Sequence, residues 1–222
     1  MILRAWRGGL SDRFERLRPL FGDKLATINE ANILLLGVGG VGSFCLDCLW
    51  RSGVTKITIV DSDCYEPSNQ NRQIGAEAVG EVKVAHLAKL FPGITPIHTK
   101  ITPEWVEVFD FEPYDLVLDA IDDLKAKVAI ARRCYKKLIS ATGSAKRLDP
   151  TMIQVGSIWK SYGDPFAKKF RDELKKARFN RNFLVIFSPE TPRCQEKGSF
   201  VGVTGAFGLT LCAQAIKRLM ER

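Results

Sequence analysis

Residues Asn32-Ile-Leu-Leu-Leu36, followed at once by Gly37-Val-Gly39-Gly40-Val-Gly42, constrain this chain more than any other segment. A run of aliphatic residues reads as a strand buried on both faces. The glycines let the chain turn tightly, and they let backbone N–H groups approach phosphate oxygens at the positive end of the helix expected over residues 41–52. A second strand, expected at 56–60, ends at Asp61, about 20 residues downstream, where an acid accepts hydrogen bonds from ribose hydroxyls. Strand, glycines, helix and acid in this order specify a nucleotide site. They do not say which nucleotide, because NAD fits the pattern as well as ATP.

The rest of the chain repeats the same rhythm of apolar runs and amphipathic stretches. Further helices are expected at 81–90, 103–109 and 125–137, with strands at 95–100, 116–119 and 138–141. Beyond Gly143 the pattern becomes mixed, with strands at 152–158 and 183–187 around a helix at 165–178, and a closing helix. This predicts an α/β fold: a Rossmann-like, mostly parallel sheet with helices on both faces, to which the C-terminal half adds mixed strands and helices. No Ser/Gly linker, repeat or low-complexity block divides the 222 residues, so they read as one domain. Its nucleotide-binding half covers about 25–143 and its substrate-facing half about 144–222.

Basic residues at the start lack the apolar core of a secretory signal. The most apolar stretch, 200–216, is Gly-rich and shorter than the roughly 20 apolar residues a membrane span needs. Six cysteines scattered through an α/β pattern suit free thiols in the cytoplasm, so a cytoplasmic protein without a membrane partner is expected. Cys45 and Cys48 have zinc-like spacing, but they fall inside the first helix and have no second pair. No zinc site is expected.

The loop after Asp61 narrows the nucleotide. Asp63, Ser68, Asn69, Gln70, Asn71, Arg72 and Gln73 are followed by Gly80-Glu-Val-Lys83. Asn and Gln orient a nucleotide, while Arg72 and Lys83 neutralise phosphate. A triphosphate demands more cations than a dinucleotide's pyrophosphate, and a metal besides. The sequence Asp119-Ala-Ile-Asp122-Asp123 stands at a strand end and offers carboxylates to Mg²⁺, although Asp123 also fits as the cap of the next helix.

Together GVGGVGS, IVDSD, SNQNRQ, VGEVK and LDAIDD resemble the ThiF/MoeB/HesA superfamily, the bacterial relatives of ubiquitin-activating enzymes. The resemblance implies a ligase-type enzyme that uses ATP and Mg²⁺ to adenylate a carboxylate. Gly37, Gly39, Gly40, Gly42, Asp61, Asp63, Ser68, Asn69, Arg72, Gln73, Lys83, Asp122 and Asp123 would then be placed around ATP. Arg72, Lys83 and Asp122 would carry the chemistry, with Asp122 on the metal. Arg13-Phe-Glu-Arg16 is similar to the family's R-x-x-R segment, which implies a homodimer in which Arg16 reaches a neighbouring subunit's phosphates; the end of a solvated basic helix is the plain alternative. Residues 142–155, Asp164-Pro165, Lys168-Lys169-Phe-Arg171 and 187–190 are similar to the branch that dehydrates N6-threonylcarbamoyladenosine in tRNA.

A net charge of +8 suits an anionic partner, and residues 160–181 carry eight of the basic side chains. Phe166, Phe170 and Leu174 recur every four residues there, so an apolar stripe is expected opposite a basic face. Lys168, Lys169, Arg171, Lys175 and Lys176 are the candidate contacts to the tRNA backbone, with a solubilising surface as the alternative. Neither His86 nor His98 stands beside a Ser or Cys that it could activate. The main rival is adenylation of the C-terminus of a ubiquitin-like sulfur carrier, with a sulfur-transfer partner. An NAD-dependent oxidoreductase leaves SNQNRQ, Lys83 and the DAIDD acids without a role, and a nucleotide-binding scaffold leaves them without a reaction.

Overall fold

A computed structural model describes residues 13–196 and 198–222. The first twelve residues, considered for signal character, lie outside them. The helices are α1 (Arg18–Phe21), α2 (Lys24–Glu30), α3 (Gly42–Arg51), α4 (Lys83–Leu90), α5 (Pro103–Val108), α6 (Leu124–Cys134), α7 (Pro165–Lys176) and α8 (Val201–Met220). The strands are β1 (Asn32–Leu36), β2 (Lys56–Asp61), β3 (Thr95–His98), β4 (Leu116–Asp119), β5 (Leu138–Ala141), β6 (Gln154–Ser157) and β7 (Leu184–Phe187).

One seven-stranded sheet, ordered β3-β2-β1-β4-β5-β7-β6, takes strands from both halves of the chain. All pairings are parallel except that of edge strand β6 with β7. Alternation along each strand explains why they are aliphatic throughout. Ile33 and Leu35 of β1, with Leu116 and Leu118 of β4, join the core under α3, α4 and α8. Leu34, Leu36 and Val117 join the opposite core under α5, α6 and α7. Both faces are covered, so a polar residue on either one would be buried.

The expected elements all form; β1, β4 and β5 keep the expected bounds, and several others have shifted ends. Helix α6 stops at Cys134 and tightens into a 3₁₀ turn, Tyr135–Lys137. Helix α7 ends at Lys176, and Arg178 then takes a positive φ of 53°. The strand expected from 152 starts only at Gln154, because Asp149 accepts hydrogen bonds from Thr151 and caps a 3₁₀ turn at Pro150–Met152. The apolar stretch at 200–216 lies in α8, which packs along α3. Among the described residues no helix is long and apolar enough to cross a membrane.

Glycine lets α8 come this close. A Cβ on Gly208 would stand 2.3 Å from the Val41 carbonyl oxygen and 2.9 Å from the Cys45 nitrogen, both on α3 or its cap. Backbone cannot move aside as a side-chain tip can. Gly208→Ala is therefore expected to lower stability by about 1–3 kcal/mol despite the better helix propensity of alanine. Urea unfolding measures this; an unchanged midpoint would mean that the two helices are not held backbone to backbone.

Candidate active site at the carboxyl edge of the sheet

The parallel strands end in a cavity of about 710 Å³, of the size that holds small-molecule ligands. Its wall runs from Thr99–Ile101 beyond β3, past Asp61 and Asp63 after β2, to Gly37, Gly39 and Gly40 after β1. It continues through Ala120–Asp123 after β4 to Thr142–Ala145 after β5. Gly37 has φ of 85°, and a Cβ there would meet the Ala120 carbonyl at 3.0 Å, so this turn needs glycine. Gly42 does not line the cavity. Its missing Cβ would lie 1.9 Å from the Gly37 carbonyl, so its part is to let α3 begin directly against the turn rather than to approach phosphate.

At the end of β2, Asp61 lines the cavity while already tying the edge together. One carboxylate oxygen accepts the Val38 N–H at 2.9 Å and the other accepts the Asp63 N–H at 2.9 Å. Lys83, in the first turn of α4, is buried at 4% exposure and its ammonium donates to Asp63 at 3.0 Å. Asn69 is buried and accepts the Glu66 N–H at 3.1 Å. The Arg72 stem packs on Gly40, and its guanidinium donates to the Ser68 carbonyl at 2.7 Å and to Asn71 at 2.8 Å. The Gln73 side-chain amide oxygen, Oε1, is buried in the cavity wall without a hydrogen-bond donor. A buried acceptor left unpaired costs about 1–3 kcal/mol, which marks this wall as built for something else to complete it. Ser68 lies off the cavity: it is exposed and donates to Glu66.

The acids after β4 separate into three roles. Asp119, one of the carboxylates expected to be on offer to a metal, is fully buried and bonded to Lys127 at 2.8 Å and to Ser140 at 2.6 Å. Its charge is neutralised inside the fold, and it is no metal ligand. Asp123 takes the plainer of its two readings, capping α6 by accepting the Ala126 N–H at 2.8 Å, although it still borders the cavity. Asp122 is exposed at the cavity wall and is the carboxylate at this strand end that no protein group engages among the described residues. No group of three or more His, Cys, Asp or Glu side chains is gathered as metal ligands among those residues.

The far wall comes from the second half of the chain. The Thr142 hydroxyl donates to Asp164 at 2.6 Å. Asp164 also accepts the Phe166 and Ala167 N–H groups at the start of α7 and pairs with buried Arg147 at 3.2 Å. Arg147 in turn donates to the Gly143 and Ser188 carbonyls. Glu190 accepts the Leu148 and Asp149 N–H groups and pairs with Arg193. Burial pushes the Glu190 carboxyl up, but those amides and Arg193 outweigh it and hold it below the usual range. These bonds fasten the 142–145 loop and α7 to the sheet. Phe166, expected in the apolar stripe of its helix, is half-buried and lines the cavity, while Ala167, Phe170 and Leu174 form the buried face of α7.

Other expected residues lie outside the cavity. Arg16 is exposed and does not reach it within the chain, and Arg13 lies over the Trp50 ring at 3.6 Å. On α7, Lys168, Lys169 and Lys175 are exposed. Arg171 is half-buried and donates to Ser161, and Lys176 pairs with Glu173 at 2.6 Å, so these two are less available than expected. His86 contacts Glu81 and His98 the Ser62 carbonyl. Cys45 is buried and Cys48 half-buried in the α3–α8 packing.

Sequence reasoning missed Lys127, Phe166 and the cavity-lining Lys100. Only the alanines and isoleucine around Lys127 hinted that a lysine there must turn inward. Removing its charge strands Asp119, so Lys127→Met is expected to cost about 3–5 kcal/mol of unfolding free energy, and Asp119→Leu combined with it to recover most of that loss. Chemical denaturation of both variants checks the pair.

A sequence model of the ThiF family matches residues 12–222. A tRNA threonylcarbamoyladenosine dehydratase of Bacillus subtilis (strain 168) is 39% identical over 179 residues, covering 76% of this chain and 70% of that protein. The crystal structure of the Escherichia coli tRNA N6-threonylcarbamoyladenosine dehydratase in complex with AMP superposes with a TM-score of 0.89 at 31% identity, over 97% of this chain and 98% of that one. The same E. coli enzyme in complex with ATP gives a TM-score of 0.86 at 31% identity, over 96% and 98%.

Proposed function

This chain belongs to the ThiF family, and on that footing we propose that it is an ATP-dependent tRNA threonylcarbamoyladenosine dehydratase. The observation that carries the reading is one cavity bounded by the glycine turn, Asp61, Arg72, Lys83 and Asp122 and continuing to a second wall large enough for an acceptor. The relatives that carry this name, and the AMP and ATP complexes of the E. coli enzyme, support it. The whole of 1–222 is read as one adenylating domain.

A carboxylate is a poor electrophile because its charge is delocalised and oxide does not leave. One oxygen of the threonyl carboxylate attacks the α-phosphorus of ATP, the bond to the bridging oxygen breaks, and pyrophosphate departs with the electron pair. The acyl-adenylate is then attacked by a nucleophilic atom of the same modified side chain, which closes a ring, expels AMP and gives up its proton to solvent. The oxygen lost from the substrate leaves on AMP, so the net change is loss of water driven by ATP cleavage to AMP and pyrophosphate.

These steps need no covalent nucleophile from the protein. Its contribution is to hold two anions together and to stabilise charge growing on phosphate. Of the turn Gly37–Gly40, the Gly37 and Val38 N–H groups are held by the Val60 carbonyl and Asp61, so those of Gly39 and Gly40 are the ones offered to phosphate, and Asp61 receives the ribose. Lys83 is held by Asp63 until the nucleotide's charge competes for it. Arg72 is steadied by Ser68 and Asn71, so it offers a fixed guanidinium to the phosphates. The donor set fits Mg²⁺, because Asp122 is a free carboxylate at the cavity and Mg²⁺ is commonly held by one or two carboxylates plus substrate phosphates. When bound, the ion neutralises phosphate charge. Arg16 completes the phosphate site of the neighbouring subunit in a homodimer, and the exposed Lys168, Lys169 and Lys175 hold the tRNA backbone.

Incubation with ATP, Mg²⁺ and tRNA carrying threonylcarbamoyladenosine, followed by nucleoside mass spectrometry, is expected to yield the dehydrated nucleoside. Asp122→Ala should slow its formation roughly 10²–10³-fold. An unchanged nucleoside with intact ATP refutes the reading, and ATP–pyrophosphate exchange stimulated by a ubiquitin-like carrier but not by tRNA transfers it to the rival substrate. Replacing Lys168, Lys169 and Lys175 together by Glu should weaken tRNA binding. It should also flatten the dependence of log K on log salt by roughly 0.7–0.9 for each phosphate that is no longer neutralised. Binding that is unchanged across salt concentrations removes α7 from the footprint.

A further inference from the structure

The cavity is longer than its nucleotide motifs. Asp61, Arg72, Lys83 and Asp122 cluster around the ends of β2, β1 and β4, yet the wall continues across β5 to α7 and α8. Neighbouring strands stand about 4.8 Å apart, so that extension has room for a further ring system beyond the nucleotide. Its lining at β5 and α7 is Thr142, Gly143, Ser144, Ala145 and Phe166, with no formal charge. Cations gather on the opposite wall. A neutral extension beside a phosphate-binding site suits a flat, uncharged part of a substrate and does not suit a second phosphate.

Phe166 is the only aromatic side chain among the described residues lining the cavity. It is held in place from two directions. A Cβ on Gly143 would stand 3.1 Å from the Phe166 Cβ, so the 142–145 loop lies directly against it. Its backbone N–H is bound at 2.8 Å by Asp164, which Thr142 and Arg147 also hold. The ring is half-buried although its helix has a complete buried face without it, in Ala167, Phe170 and Leu174. Lys169 follows three residues later, a neighbour on the helix surface, exposed and without an ion-pair partner among the described residues. An aromatic platform beside a cation is the arrangement by which proteins hold an unpaired nucleotide: the base stacks and the phosphate is neutralised.

We propose that Phe166 is the stacking platform for the target base of the tRNA, with Lys169 on the phosphate beside it, so that the far wall of the cavity is a nucleobase subsite distinct from the adenosine site at Asp61. This rests on the tRNA-modifying function proposed above. Stacking the base there directs its modified side chain along the cavity toward Asp122, where the carboxylate meets the α-phosphate. Phe166 thereby sets specificity for a modified purine that has left the helical stack.

The test compares wild type with Phe166→Ala, Phe166→Leu and Phe166→Trp, using an anticodon stem-loop that carries threonylcarbamoyladenosine as substrate and ATP binding as a separate measurement. Phe166→Leu keeps most of the apolar volume should the alanine variant fail to fold. Both non-aromatic variants are expected to raise KM for the stem-loop roughly ten- to hundredfold, with a smaller change in kcat and unchanged ATP affinity. Phe166→Trp should return KM close to the wild-type value. KM unchanged in Phe166→Leu overturns the subsite. Loss of ATP affinity in its place would assign the ring to the adenine of ATP, which also overturns it. A wild-type enzyme that leaves the stem-loop nucleoside unaltered removes the functional reading itself and this subsite with it.

Discussion

Two backbone-to-backbone approaches govern how this molecule is assembled. At Gly42 the first turn of α3 lies against the carbonyl of Gly37, and at Gly208 helix α8 lies against the carbonyl of Val41. Any side chain at either point would push α3 away from β1 or α8 away from α3. Helix α3 is thus set between β1 and α8, with its amino end at the strands' carboxyl edge. The half-charge at that end faces the cavity at Gly39 and Gly40, beside the Asp61 carboxylate that takes the Val38 N–H.

The same edge explains how one surface carries several charges without collapsing on itself. Lys127 sinks to neutralise Asp119, Lys83 is held by Asp63, and Asp61 is engaged by two backbone amides. Each partner fixes its side chain in place, and only the Asp119–Lys127 pair is withdrawn from the cavity altogether. Asp122 and Lys100 remain at the cavity without such partners among the described residues. The buried Asp119–Lys127 pair also ties β4, β5 and α6 together at the point where the cavity floor changes from one half of the chain to the other.

The second half contributes position as much as chemistry. Arg147, Asp164 and Thr142 join the 142–145 loop to the start of α7, and Glu190 anchors the segment that follows the loop. A helix carrying lysines on its exposed side is in this way rigidly connected to the wall of a nucleotide-sized cavity. In the proposed reaction this joins polyanion binding outside to placement of one residue inside.

The nucleotide half was legible from residue order alone, because strand, glycine turn, helix and acid are local features whose geometry follows from backbone freedom and side-chain size. The β1, β4 and β5 boundaries emerged as expected for the same reason: runs buried on both faces are aliphatic from end to end. Charge and strand-end position pointed to Arg72, Lys83 and the acids after β4, the family resemblance singled out Asp122 among those acids, and the fold brings the three to one cavity. What periodicity could not reveal was the fate of side chains whose partners are distant in sequence. A lysine in a helix is usually solvated, a phenylalanine at helical spacing is usually core, and an aspartate in an acidic cluster invites a metal. Lys127 is instead buried, Phe166 faces a cavity and Asp119 is neutralised, because β5 and α7 close over the buried pair. The sequence determined the nucleotide-binding turn and the parallel sheet through local sterics and burial. Only the tertiary structure decided which charges stay free for a ligand, since neutralisation depends on which side chains packing brings within a few ångströms of each other.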